Sequence, residues 1–133
     1  MSDPLPMKFT RVALLIATVI ACAAAVYAQD NPYRVAEGWP QLPSNMKFGG
    51  VISTDVDARG NIWVFHRNDP TILQFASSGQ LLKSFGAGMF VQPHGMTIDR
   101  DGNIWVTDAQ AKDGKGQQVF KLNPDGNVLM TLG

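Results

Sequence analysis

The chain reads as an all-β protein made of two four-stranded units, stacked as blades of an incomplete β-propeller. Three observations predict this. From Gly50 onward, apolar and polar residues alternate through a series of short runs, the pattern of strands with one buried face. The runs recur: Gly60-Asn61-Ile62-Trp63-Val64 returns as Gly102-Asn103-Ile104-Trp105-Val106, an offset of 42 residues. A period in the forties with four strands per unit is a blade signature. The 13 glycines and 8 prolines supply turns between the runs and leave little room for long helices.

Residues 1–28 read as a secretory signal. Lys8 and Arg11 provide the positive start, Val12 to Val26 is apolar, and Val26-Tyr27-Ala28 offers small residues for cleavage before Gln29. The apolar run is about 15 residues, short of the roughly 20 that a membrane span needs. Val19-Ile20-Ala21-Cys22 admits a second reading, with Cys22 as a lipid anchor. An uncleaved anchor is the third. All three place the remainder outside the cytoplasm, secreted or periplasmic, with no membrane span once a signal is removed. Cys22 is the only cysteine, so a cleaved chain has no disulfide.

Residues 29–49 carry Pro32, Pro40 and Pro43 and no clean period, which predicts an extended lead-in. Trp39 is expected to pack on the first repeat. The repeats then occupy 50–133, as one blade over 50–91 and another over 92–133. In the first blade, strands are expected at Val51–Val56, Ile62–Phe65, Thr71–Phe75 and Leu81–Phe85. In the second they are expected at Gly95–Ile98, Ile104–Thr107, Gln118–Leu122 and Val128–Leu132. Ile62, Trp63, Val64 and Phe65 are apolar without a break, so that strand is expected to be covered on both faces. Trp63 and Trp105 are read as inter-blade core. Later in the unit the offset grows to 47 residues, from Gly79 to Gly126, and Lys112–Gly116 is read as the inserted loop.

The net charge is +0. A general nucleic-acid binder would need a basic stripe, and none is present. Closed propellers use about four to eight blades. Two leave an open face and bare strand edges, so the chain is read as a piece of a longer protein, or as one that assembles with copies of itself.

The segments VFHRND, TILQF, QPHGMTIDRDGNIWVTDA and QVFKLNPDG resemble the peptidylamidoglycolate lyases. These are also called peptidyl-α-hydroxyglycine α-amidating lyases, and they are propellers of NHL repeats. The resemblance covers residues 37–133 and about the first third of that family's domain. It implies two NHL-type blades of a six-bladed propeller and cleavage of a peptidyl-α-hydroxyglycine to a peptide amide and glyoxylate. It implies a zinc held by three histidines, of which the PHG motif supplies His94. It implies a substrate-binding and catalytic arginine at the end of the FHR motif, Arg67. It also implies a structural calcium on the main-chain carbonyls of Thr54 and Met96. The implied substrate is a small molecule or a peptide.

The residue chemistry agrees with that implication. Catalytic zinc takes about three protein ligands and one open position, and arginine's planar fork suits a carboxylate. The other histidines would lie beyond Gly133, so this chain alone is expected to be inactive. His66 is read as structural and Asp108 as an acceptor of main-chain hydrogen bonds. Asp99-Arg100-Asp101-Gly102-Asn103 is read as a hairpin turn. The competing readings are a non-enzymatic NHL-repeat binding module and a calcium-dependent propeller hydrolase. The hydrolase would call for acidic metal ligands, whereas the channel-entrance positions here carry His and Arg.

Overall fold

The computed structural model describes residues 31–133. The signal segment and Cys22 lie outside the described residues. Residues 31–36 carry no regular structure, and the folded unit runs from Glu37 to Gly133. Among the described residues, no helix is long and apolar enough to cross a membrane.

Eight strands form two antiparallel four-stranded sheets. They are β1 (Val51–Val56), β2 (Ile62–His66), β3 (Ile72–Phe75), β4 (Leu81–Phe85), β5 (Pro93–Ile98), β6 (Ile104–Lys112), β7 (Lys115–Leu122) and β8 (Val128–Leu132). Each sheet follows chain order, β1-β2-β3-β4 and β5-β6-β7-β8, so every connection within a sheet is a hairpin. The two sheets are the blades, and β1 and β5 are their matching first strands.

The β1–β2 and β5–β6 turns share one mechanism. Asp57 accepts from the backbone N–H groups of Arg59 and Asn61, each at 2.9 Å. Asp99, 42 residues on, accepts from Asp101 at 3.0 Å and Asn103 at 2.8 Å. These are side-chain-closed turns, with glycine supplying the left-handed residue at Gly60 and Gly102. The same carboxylates also hold a tryptophan from the following strand. Trp63 Nε1 donates to Asp57 and Trp105 Nε1 to Asp99, both at 3.0 Å.

The alternating pattern produces two cores. Trp63, Phe65 and Ile72 face the second blade and meet Met96, Ile104, Val106, Phe120 and Leu122. Val64, Leu73 and Phe75 face the opposite way, and Trp39, Leu42 and Phe48 from the lead-in cover them. Trp39 stacks at a tilt on Phe75, 5.8 Å between ring centroids. Each buried side chain of this size contributes about 1.5–3 kcal/mol of transfer free energy. Polar contacts also join the blades. Asp55 on β1 accepts from Ile98 N–H at 2.8 Å and from the Thr97 hydroxyl at 3.1 Å on β5.

Two expectations are corrected. Lys112–Gly116 is not a loop. It lengthens β6 and β7, with Ala111 opposite Gly116 and Lys112 opposite Lys115. Asp113-Gly114 closes the hairpin with both residues at positive φ, the conformation favoured in two-residue hairpins. Strand β5 starts at Pro93, two residues earlier than expected, so His94 lies inside the strand rather than at its entrance. Trp105 occupies the position in the second blade that Trp63 occupies in the first; it is half-buried on the face that points away from the first blade, with Lys121 Nζ 5.1 Å from its ring centroid.

The carboxylate turns make acid stability predictable. Burial pulls the Asp57 carboxyl upward, but donors on Trp63, Asn61 and Arg59 outweigh it and hold the group at about 2. Asp99 follows the same balance, held below the usual carboxylate range by Trp105, Asn103 and Lys121. Both contributions are complete above the unfolded carboxylate value of 3.8. They are lost as pH falls through the folded values, because the unfolded chain then binds more protons. The thermal midpoint is therefore expected to drop steeply below pH 3.8. In Asp57→Asn this drop should be shallower. An unchanged acid limb in that variant would remove the explanation.

Candidate functional site

Of the residues singled out by sequence, Arg67 and the segment carrying His94 meet at one end of the seam between the blades, whereas Thr54 and Met96 lie within β1 and β5. Arg67 directly follows β2 and is exposed. Its Nε donates to the carbonyl of Pro93 at 3.3 Å, the residue before His94. Two motifs that lie 26 residues apart therefore meet at one contact.

His94 is presented by a β-bulge. Pro93 pairs with Asp108 and Gly95 with Thr107, which leaves His94 as the extra residue on β5. Bulges re-aim side chains and recur beside active sites. The first blade has the same bulge, with Val51 opposite His66, Ser53 opposite Phe65, and Ile52 as the extra residue. The bulge thus belongs to the blade, and the imidazole is what differs. Ile52 is half-buried and packs on the inter-blade core, whereas His94 is exposed.

Beneath His94 and Arg67 stands a clamp that recurs in both blades. In the second, Asp108 is 3% exposed and accepts from Val91 N–H at 2.8 Å and Gln92 N–H at 2.6 Å. In the first, His66 is 2% exposed, and its Nδ1 accepts from Gly49 N–H at 3.0 Å. Gly49 and Val91 are 42 apart, as are His66 and Asp108. A carboxylate and an imidazole therefore tie down the same N–H, and each fixes the chain as it enters a first strand. With Nδ1 accepting, the His66 proton sits on Nε2, which is buried without a partner. Burial pushes His66 below its usual value, against the opposing pull of the Pro70 carbonyl and the Asp69 charge. It is neutral and structural.

His66 gives a second pH signature. An imidazole held neutral in the fold but protonated in the unfolded chain costs stability as pH falls below its unfolded value of 6.5. Unfolding midpoints are expected to begin falling there, well above the carboxylate limb. His66→Gln keeps an acceptor for Gly49 and should abolish this upper step while sparing the lower one. Retention of the step would place its origin elsewhere.

Thr54 and Met96 occupy equivalent positions on β1 and β5, opposite Val64 and Val106. Thr54 is exposed and Met96 is 9% exposed. The Met96 carbonyl accepts a hydrogen bond from the Ser53 hydroxyl at 3.0 Å, which leaves its second lone pair for another partner. Among the described residues, no group of three or more His, Cys, Asp or Glu side chains is placed to hold a metal ion. His94 supplies one imidazole.

A cleft of about 270 Å³ opens beside Arg67, with Phe90, Val91, Gln92 and Pro93 forming its far wall. Phe90 is fixed by edge-on contacts with Phe65 at 5.1 Å and Phe120 at 5.7 Å. Its place beside Arg67 depends on the turn that follows β4, which no spacing in the sequence predicts.

Comparison with known proteins adds a family context. The NHL repeat family matches residues 90–113. Peptidyl-glycine α-amidating monooxygenase A of Xenopus laevis is 38% identical over 134 aligned residues, covering 81% of this chain and 14% of that protein. Peptidyl-α-hydroxyglycine α-amidating lyase 1 of Drosophila melanogaster is 30% identical over 132 residues, covering 78% of this chain and 23% of that protein. The chain thus spans less than a quarter of the length of either relative. A solved structure of streptogramin B lyase superposes with a TM-score of 0.49 at 18% identity, over 65% of this chain and 27% of that one.

Proposed function

We propose, from the chain's likeness along most of its length to peptidyl-α-hydroxyglycine α-amidating lyases, that it forms two NHL-type blades of a six-bladed, exported lyase. That enzyme would cleave a peptidyl-α-hydroxyglycine to a peptide amide and glyoxylate. The observation that carries the reading is the contact between Arg67 and the Pro93 carbonyl. It brings the Arg67 guanidinium to the main chain of the residue that precedes the bulged His94.

In this reading His94 is one of about three histidine ligands to zinc, the others coming from further blades. Bound zinc would act as a Lewis acid at the substrate hydroxyl. The Arg67 Nη donors, which its bond to Pro93 leaves unused, would receive the carboxylate that departs as part of glyoxylate. Thr54 and Met96 would offer main-chain carbonyls to a calcium that ties the first strands together, as a hard cation prefers oxygen donors. The site is incomplete with these blades alone. The competing reading, a non-enzymatic NHL-repeat binding module, draws support from His94 being the one exposed imidazole among the described residues, the other, His66, being buried.

The test is metal content and glyoxylate release in the native protein isolated from its source. One zinc per complete propeller is expected, together with turnover of a peptidyl-α-hydroxyglycine. His94→Ala should lose the zinc. Arg67→Gln should retain it and lose about 10²-fold or more in turnover, the scale for removing one preorganised charge donor. Zinc-free protein, or turnover indifferent to both substitutions, would leave the binding module as the better reading.

A further inference from the structure

The β6–β7 hairpin extension is the largest departure of the second blade from the first. Between β2 and β3 the first blade closes by way of Arg67–Thr71, whereas β6 and β7 run on to Lys112 and Lys115. The extension leans on the turn that carries Phe90 and Val91. At Gly116 a Cβ would stand 3.2 Å from Val91 Cγ2 and 1.7 Å from the Gln110 carbonyl oxygen. Only glycine permits this approach, and its φ of +88° says the same.

This leaning creates a second cavity of about 400 Å³, lined by Phe90, Val91, Lys112, Asp113 and Lys115. Phe90 and Val91 also line the cleft beside Arg67. The two hollows therefore share a wall and form one groove from Arg67 to the hairpin.

The charge along this groove is unusual. Lys112 and Lys115 face each other directly across the hairpin, and both are exposed. Like charges directly opposite are destabilising. Among the described residues, neither lysine takes part in a salt bridge, and nor does Arg67. Of the carboxylates on the rim, Asp69 accepts from Gly88 N–H at 3.0 Å, and Asp113 stands in the hairpin turn between the lysines with its backbone at positive φ. The groove thus presents three cations that form no salt bridge among the described residues, against two carboxylates, Asp69 and Asp113, for a net positive lining over an apolar floor, and the lysine pair costs stability in the free chain.

We propose that this groove selects peptides with acidic side chains just upstream of a free C-terminal carboxylate. The carboxylate faces Arg67, the acidic side chains face Lys112 and Lys115, and Phe90 and Val91 take the apolar stem. This rests on the lyase reading for the role of Arg67 and adds the class of peptide. The hairpin is then a specificity element that the repeat does not require.

The test is fluorescence anisotropy on the full chain with three labelled hexapeptides. One is acidic with a free C-terminus, one is its C-terminal amide, and one has Gln and Asn in place of Glu and Asp. The acidic free peptide is expected to bind roughly fivefold tighter than the neutral one, from two exposed ion pairs. The double variant K112Q/K115Q should erase that preference. Its melting temperature should hold or rise, because the like-charge pair is gone. Without any variant, rising salt should erase the preference in the wild-type chain. Equal binding of acidic and neutral peptides, or a preference that survives salt and both substitutions, overturns the proposal. Arg67→Gln separates the two readings. If it weakens the free acid but not the amide, the lyase reading stands whatever the lysines do. If lysine-dependent binding persists with no regard for the C-terminus, the groove stands and the lyase reading falls.

Discussion

Phe65→Ala is expected to destabilise the chain by about 3–5 kcal/mol, the cost of emptying a buried aromatic site. Phe65 is fully buried in the core between the blades. It lies edge-on to Phe90, 5.1 Å between centroids, and Phe90 in turn meets Phe120. Truncation therefore removes the transfer free energy of one ring and also the partner that holds a second ring upright. Neither blade can collapse into the space, because each backbone is fixed by its own sheet. Urea denaturation against Leu82→Ala measures the effect. Leu82 is 45% exposed, and its truncation should cost less than about 1 kcal/mol. If the two variants lost the same amount, the seam would not be packed as described. Phe65→Leu should recover much of the loss in stability. It should still loosen Phe90, and with it the wall beside Arg67.

The seam shows what the sequence made legible and what it did not. Period-2 runs and the 42-residue repeat were enough to draw two four-stranded sheets, because a strand with one buried face writes its burial pattern directly into the chain. Both faces of β2 were legible for the same reason. Trp105 repeats the place of Trp63 on its blade, and its cross-strand partner Lys121 lies over its ring. The hairpin at Lys112–Lys115 was misjudged by composition. Lys-Asp-Gly-Lys-Gly looks like a loop, yet Asp-Gly between flanking strands is also the strongest short hairpin signal. The bulge at His94 was not legible at all, since a bulge exists only relative to the partner strand. The pairing of His66 with Asp108 was hidden for a chemical reason. An imidazole nitrogen and a carboxylate oxygen both accept a backbone N–H, so one task is written with two unlike letters.

That shared task yields the second large effect, at Asp108. Asp108→Ala leaves the N–H groups of Val91 and Gln92 without acceptors in a site that is 3% exposed. Each unsatisfied buried donor costs about 1–3 kcal/mol, so a total loss of about 2–6 kcal/mol is expected in urea denaturation. Asp108→Asn retains one oxygen acceptor and turns an NH₂ toward the other N–H, so it should fall between wild type and alanine. The local consequence separates a clamp from a general core residue. Val91 and Gln92 lead straight into Pro93, whose carbonyl receives Arg67, and then into the bulged His94. Amide exchange at residues 91 and 92 should therefore rise in both variants, and the His94 imidazole resonances should shift. Amides of β2 and β3 in the first blade should stay protected, because their own clamp is His66. Uniform loss of protection across both blades would make Asp108 an ordinary stability residue. Loss confined to 91–95 would show that the second blade spends a buried carboxylate on aiming one exposed histidine and the cation beside it.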